Sequence, residues 1–191
     1  MRKMKFIGLI GSNAAKSYNR MLMQYMQRQF SAQVEIELAE IKAIPLFDED
    51  QIEHAPQCVL DLAKKIEAAD GIIIATPEYD HAIPAALKST LEWLSSAAHP
   101  FKGKPVMIVG ASYGNQGTAK AQENLRMILN SPGLEAYVLP GNEFLMGYAQ
   151  DKFDQNGKLH APKCEQFLTE CFNNFISYVQ CISHKTQQVS V

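Results

Sequence analysis

The sequence predicts an α/β fold, a doubly wound parallel sheet of five strands in the order 2-1-3-4-5 with helices on both faces. Three observations predict it. Short apolar runs alternate with longer amphipathic stretches along the chain, as strands and crossover helices do in a parallel sheet. The run from Ile72 to Ala75 is apolar throughout, which is typical of a strand buried on both faces. The dinucleotide fingerprint G-x-G-x-x-G, which accompanies the other common strand order, does not occur.

Each element follows from its own pattern. The strands are expected at 5–10, 34–38, 71–76, 106–109 and 136–139, and the helices at 18–30, 58–69, 84–96, 118–130 and 163–183. The second strand alternates apolar with polar residues, as an edge strand exposed on one face does. Residues 140–162 lack a periodic pattern and are expected to be irregular. The last helix carries an aromatic stripe that includes Phe167 and Phe175, which we expect in the core.

Length and composition limit the class of protein. The 191 residues suit a single domain, 1–191, with 47% hydrophobic and 20% charged residues. A net charge of −2 gives no sign of the basic surface that binds nucleic acid or an anionic membrane. No apolar run approaches the ~20 residues of a transmembrane helix. The four cysteines are widely spaced without a C-x-x-C pair, so we expect reduced thiols, no metal site and a cytoplasmic location.

The loop after the first strand has the composition of a phosphate site. Ser12 and Ser17 offer hydroxyls, Asn19 an amide and Lys16 a positive charge, and Gly11 begins the loop. The amino end of the following helix adds unpaired N–H groups. Because the triphosphate motif ending in Gly-Lys-Ser/Thr is also missing, a monophosphate fits better than a dinucleotide or triphosphate. The alternative is that the two serines are only a turn residue and a helix N-cap.

Two further loops reach the same rim of the sheet, because the carboxyl ends of parallel strands share one edge. The loop after strand three is a polar and aromatic tip between prolines, and the loop after strand four is rich in glycine. We expect a planar ring to bind between them. The candidate residues of these loops are Pro77, Glu78, Tyr79, Asp80, Ser112, Tyr113, Gly114 and Gly117.

These motifs resemble those of the NADPH-dependent FMN reductase family, a flavodoxin-like group that includes azoreductases, quinone reductases and chromate reductases. The family's Gly-Ser start and Ser-x-Asn are matched in the first loop, and its T-P-E-Y-N-x-x-x-P-x-x-L-K-N segment begins here at Thr76. The resemblance runs from about residue 5 to residue 140. Asp80 and Ser89 stand where the family usually has Asn.

The resemblance implies a flavodoxin-like fold and bound FMN. A hydride passes from NAD(P)H to the flavin, and two electrons then pass to a quinone, azo, metal-oxyanion or similar acceptor. No catalytic side chain is required, because the cofactor carries the chemistry. Backbone N–H groups of residues 78–80 are expected to face the ring, and the chain to form a homodimer or tetramer. FMN is expected in preference to FAD, because the first loop is too short to hold a pyrophosphate and adenosine.

Three alternatives remain open from the sequence. The first is a flavin reductase that releases reduced FMN to a partner monooxygenase. The second is a flavodoxin-like electron carrier or redox sensor without its own substrate, and the third is a domain that has lost flavin. Asp80 is the only hint of the last alternative. If its carboxylate faces the ring, it opposes the negative charge that builds on reduction.

Overall fold

The structure, a computed structural model, describes residues 2–154 and 156–188 and confirms the predicted fold and strand order. The strands are β1 (Met4–Ile10), β2 (Val34–Glu40), β3 (Gly71–Ala75), β4 (Pro105–Ala111), β5 (Tyr137–Val138) and β6 (Phe144–Met146). The helices are α1 (Tyr18–Gln29), α2 (Gln57–Ala68), α3 (Ala85–Ala97), α4 (Ala119–Leu129) and α5 (Pro162–Gln188). Two short 3-10 helices, Glu49–His54 and Ala149–Asp151, lie in loops that the sequence does not mark as helical.

The sheet separates two apolar cores. β1 pairs in parallel with β2 and β3, and β3 pairs in parallel with β4, so every residue of β3 and β4 is buried. One face packs against α1 and α5, where Phe30 and Phe172 stack with ring centroids 3.8 Å apart. The other face packs against α2, α3 and α4, where Trp93 is 1% exposed and belongs to the core. β2 is an edge strand with one exposed face, as predicted.

The fifth strand differs from the prediction. It is divided into β5 and β6, which pair with successive parts of β4, so the span expected to be irregular contains a strand. The turn between the two segments includes Gly141 at φ +62°, and Arg126 donates to the carbonyl oxygens of Leu139 and Gly141. A three-residue strand after such a turn is too short to show a periodic pattern.

The last helix also corrects one detail of the sequence pattern. Phe175 is fully buried, as expected, but Phe167 is 45% exposed. Phe172 is buried in the core, where Phe167 was expected. Within the described residues, the structure contains no helix long and apolar enough to cross a membrane.

Candidate functional site

The loops after β1, β3 and β4 converge on a cavity of about 250 Å³, the inner pocket. Ten predicted residues line it: Ser12, Lys16, Ser17, Asn19, Pro77, Glu78, Tyr79, Ser112, Tyr113 and Gly114. Tyr18 and Ala111, which no sequence motif indicates, line it as well. Gly11, Asp80 and Gly117 lie outside the lining.

The loop after β1 presents hydroxyl donors at a helix amino end. Ser17 is the N-cap of α1, and its Oγ accepts from Arg20 N at 3.3 Å. Ser12 Oγ accepts from Ala14 N at 3.3 Å. Each hydroxyl therefore keeps its own hydrogen for a further acceptor. Lys16 is exposed beside them, and the positive end of the helix dipole adds to its charge. This set of donors fits a phosphate group.

Arg20 stabilises this loop through its carbonyl groups, a role that is not apparent from the sequence. Its guanidinium donates to both carboxylate oxygens of Glu40 at 2.6 and 2.7 Å, and to Ala14 O at 2.6 Å. The hydrogen bond with Glu40 raises the pKa of Arg20. The parallel register places Glu40 opposite Ile10, at the end of β1, which is why β2 can supply this partner. The guanidinium thereby fixes the carbonyl groups of the loop.

The Asn19 side chain connects α1 to β4 by two hydrogen bonds, and this connection is called the Asn19 strut. Its side chain donates to Ala111 O and accepts from Ala111 N, both at 2.9 Å, and the residue is only 2% exposed. The amide oxygen and one amide hydrogen are thus committed to the sheet. Asn19 therefore connects the helix to the sheet, and at most one of its N–H groups remains for a ligand in the inner pocket.

The loop after β3 ends in a tight turn. Tyr79 and Ala82 exchange two backbone hydrogen bonds of 3.0 Å, and Asp80 and His81 between them have φ of +50° and +65°. Asp and Asn tolerate this left-handed conformation, so Asp80 suits the turn. The Tyr79 N–H is consumed inside the turn, which corrects the expectation that the N–H groups of 78–80 all face a ligand. The Asp80 side chain is exposed at the tip.

Glu78 directs its carboxylate towards α4. Oε2 accepts from Ala121 N at 3.1 Å, in the first turn of that helix, and Oε1 lies 3.5 Å from His81 Nδ1. The Glu78 side chain is 15% exposed, whereas that of His81 is 70% exposed. A carboxylate at a helix amino end is favourable, so Glu78 fixes the loop against α4.

The loop after β4 is held by the segment that follows β6. Ser112 N donates to Met146 O at 2.9 Å, and Tyr148 N donates to Gly114 O at 3.0 Å. The Tyr113 ring is 71% exposed and packs edge-to-face on Tyr18, with centroids 5.1 Å apart. Burial raises the pKa of the Tyr18 phenol, and Tyr113 adds to the rise.

Two of the predicted glycines, Gly11 and Gly117, are closely packed against neighbouring backbone. A Cβ on Gly11 would lie 2.8 Å from Ala75 O. Gly117 has φ +61°, and a Cβ there would lie 2.6 Å from the carbonyl carbon of Leu145. Both glycines thus allow backbone segments beneath the site to approach closely.

Comparison with known proteins decides the family. The family model described as NADPH-dependent FMN reductase matches residues 4–151. The chain belongs to this family. It is 47% identical to the NADH:(hydroxy)cinnamate reductase subunit CrdA of Vibrio ruber, covering 94% of this chain and 89% of that one. It is 46% identical to the NADH-dependent flavin reductase subunit 2 of Lactobacillus johnsonii, covering 93% and 98%.

A solved structure supports the same relationship. The flavoenzyme NAD(P)H:(acceptor) oxidoreductase FerB of Paracoccus denitrificans superposes with a TM-score of 0.79 and 26% identity, over 93% of this chain and 97% of that one. The chain is an FMN-dependent NAD(P)H oxidoreductase, with FMN as cofactor and NAD(P)H as co-substrate. The donors at the amino end of α1 fit the phosphate of that cofactor.

Proposed function

We propose that the inner pocket holds FMN with its phosphate against Ser12, Lys16 and Ser17. The ring then lies between the loop at Pro77–Tyr79 and the loop at Ser112–Gly114. The observation that carries this assignment is the pair of hydroxyls with free hydrogens at the amino end of α1, in a pocket that continues between the other two loops. When bound there, FMN would supply the redox chemistry between NAD(P)H and a two-electron acceptor, and the residues of the pocket would hold and orient it.

The chain's own residues bind and orient. Arg20 holds the carbonyl groups of the phosphate loop, and Asn19 ties that loop's helix to the end of β4. Glu78 anchors the loop after β3 on α4. These contacts hold the three loops in fixed positions relative to one another, which reduces the ordering that binding would require.

For the acceptor, we propose a quinone. The mouth of the pocket presents Tyr79 and Tyr113, which are 50% and 71% exposed and offer flat surfaces to an aromatic molecule. A quinone reductase of Escherichia coli is 37% identical over 93% of this chain. Steady-state NADH oxidation with a benzoquinone, an azo dye and chromate tests this choice. The quinone should give the highest kcat/KM, and a clear preference for chromate or the azo dye would contradict it.

A second candidate is a reductase subunit that releases reduced flavin to a partner protein. The observation in its favour is that the relatives at 47% and 46% identity are both named as subunits. Gel filtration after anaerobic reduction separates the two candidates. FMN that stays with the protein supports direct reduction of a quinone, whereas FMN released on reduction supports delivery to a partner.

We also propose one domain over 1–191, a homodimer and a cytoplasmic location. Both apolar cores share one sheet, which supports a single domain. The exposed Tyr79 and Tyr113 beside an open pocket support coverage by a second copy. All four cysteines are free thiols, which suits a reducing compartment. Sedimentation equilibrium of the FMN-loaded protein should give twice the chain mass; a monomer mass would contradict the dimer, and four times the mass would indicate a tetramer.

A further inference from the structure

A second cavity of about 510 Å³, the outer pocket, adjoins the inner pocket and shares Lys16, Ser17, Tyr18 and Tyr113 with it. It follows the face of α1 that carries Ser17, Met21 and Gln24, which are spaced i, i+4 and i+7. With a rise of ~1.5 Å per residue, this wall extends ~10 Å from the phosphate loop. The opposite wall contains Gln150, Phe153 and Asp154.

The outer pocket has an aromatic lining that is already in place. The rings of Tyr18 and Phe153 are parallel within 14°, with centroids 6.4 Å apart. Phe153 is 7% exposed and pairs with Leu159 across a short antiparallel bridge. Arg28 donates to Gly157 O at 3.0 Å and secures this segment against α1. The partly exposed Tyr18 ring, with the buried Phe153 ring packed against it, offers a flat surface that suits a nucleobase, because every base has a π-face.

The polar groups of the outer pocket complement a nucleoside diphosphate. Lys16 makes no ion pair with any residue that the structure describes, and it lies where the two pockets meet, between the proposed FMN phosphate and a pyrophosphate in the outer pocket. The Gln24 side chain likewise has no hydrogen-bond partner among the described residues. Asp154 Oδ1 accepts from two backbone N–H groups of its own turn at 2.8 Å, which lowers the pKa of the carboxyl and leaves Oδ2 as an anionic acceptor. Arg20 is already paired with Glu40.

We propose that the outer pocket binds the ADP half of the nicotinamide co-substrate, with the pyrophosphate beside Lys16 and the adenosine along the wall of Tyr18 and Phe153. The proposal rests on the proposed function, in which FMN occupies the inner pocket. The shared residues then connect the two halves of one dinucleotide. The anionic Asp154 repels a 2′-phosphate and accepts from a ribose hydroxyl, so NADH is preferred to NADPH.

The test fills the outer pocket without touching the inner one. Gln24→Trp and Gln150→Trp add bulk from opposite walls, and Gln29→Trp places the same side chain on an exposed site of α1 outside the cavity. FMN-loaded proteins are assayed with NADH and with 1-benzyl-1,4-dihydronicotinamide, a hydride donor that lacks the ADP half. Losing a stacked base corresponds to roughly a 5- to 150-fold fall in kcat/KM for NADH. The truncated donor and the Gln29→Trp control should be unaffected.

Calorimetric titration of ADP into the FMN-loaded protein gives a readout other than turnover. The wild type and the control should bind ADP, and the two filled variants should not. Absence of ADP binding to the wild type overturns the proposal even if a variant fails to fold. An equal loss of activity with both hydride donors in the filled variants overturns it as well. If FAD binds more tightly than FMN, and the two filled variants lose affinity for FAD but not for FMN, the outer pocket holds the ADP half of the flavin and the proposal is wrong. If neither donor reduces the wild type, the proposed function fails instead.

Discussion

Asn19→Ala should destabilise the fold, because the Asn19 amide is a strut between α1 and β4. The substitution removes both partners of Ala111, whose N–H and carbonyl oxygen each bond to the Asn19 side chain at 2.9 Å. Ala111 is 3% exposed, so water replaces these bonds poorly. A buried polar group left unsatisfied costs about 1–3 kcal/mol, and two such groups give about 2–6 kcal/mol. At about 2–4 °C per kcal/mol for a chain of this size, Tm should fall by roughly 4–24 °C.

The assay is thermal unfolding of the FMN-free protein, followed by FMN titration below the transition. Asn13→Ala is the matched control, because Asn13 is an exposed asparagine in the loop before α1. It should leave Tm unchanged. Ser17→Ala should show the reverse balance, with a modest loss of stability from the missing N-cap and a larger loss of FMN affinity. An Asn19→Ala protein with unchanged Tm and lost FMN affinity would refute the strut and make Asn19 a phosphate donor.

Three further predictions follow from the contacts around the site and the sheet edge. Arg20→Gln should weaken FMN binding about ten- to hundredfold by fluorescence titration, since it releases the carbonyl groups of the phosphate loop, and unchanged affinity would contradict this role of Arg20. Asp80→Asn should raise the FMN midpoint potential by no more than ~15 mV in spectroelectrochemistry, the value for an exposed charge ~6 Å from the ring, and a rise several times larger would place the carboxylate beside it. Hydrogen bonds from Lys5 and Lys65 hold the pKa of the Glu37 carboxyl below its ordinary value of 4.5. The stability that these interactions give the folded protein is therefore complete above pH 4.5, and it is lost as the pH falls through the lowered pKa. Glu37→Gln should therefore make Tm less dependent on pH on the acid side of the profile. An unchanged profile would show that the ion pairs of Glu37 with the two lysines contribute nothing to stability.

The sequence predicted the sheet because its evidence is local. The apolar run at Ile72–Ala75 and the turn residues after each strand are visible without tertiary information, and they also locate the three loops of the inner pocket. The roles of individual side chains are different. Asn19 meets a partner 92 residues away, and Arg20 meets Glu40 only because β1 and β2 pair in register. Composition identified Asn19 as polar and near the site, but only the packed sheet shows that its amide is already used.

The orientation of Asp80 has a local cause that residue types alone do not show. From sequence, its charge suggested an effect on the flavin. The structure places it in a two-residue turn with positive φ, where the backbone directs the side chain to solvent. The division of the last strand was also beyond the sequence, because β6 has only three residues and depends on pairing with Val109–Ala111. Long-range pairing, rather than local propensity, therefore decides where β6 forms.

The most direct test of the central claim is anaerobic mixing of the FMN-loaded protein with NADH, followed by addition of a quinone. The account predicts that the flavin absorbance bleaches with one NADH oxidised per bound FMN and returns when the quinone is added. Ser17→Ala should lose FMN on gel filtration before the assay, which ties the signal to the loop after β1. Bound FMN that neither NADH nor NADPH bleaches would contradict the account.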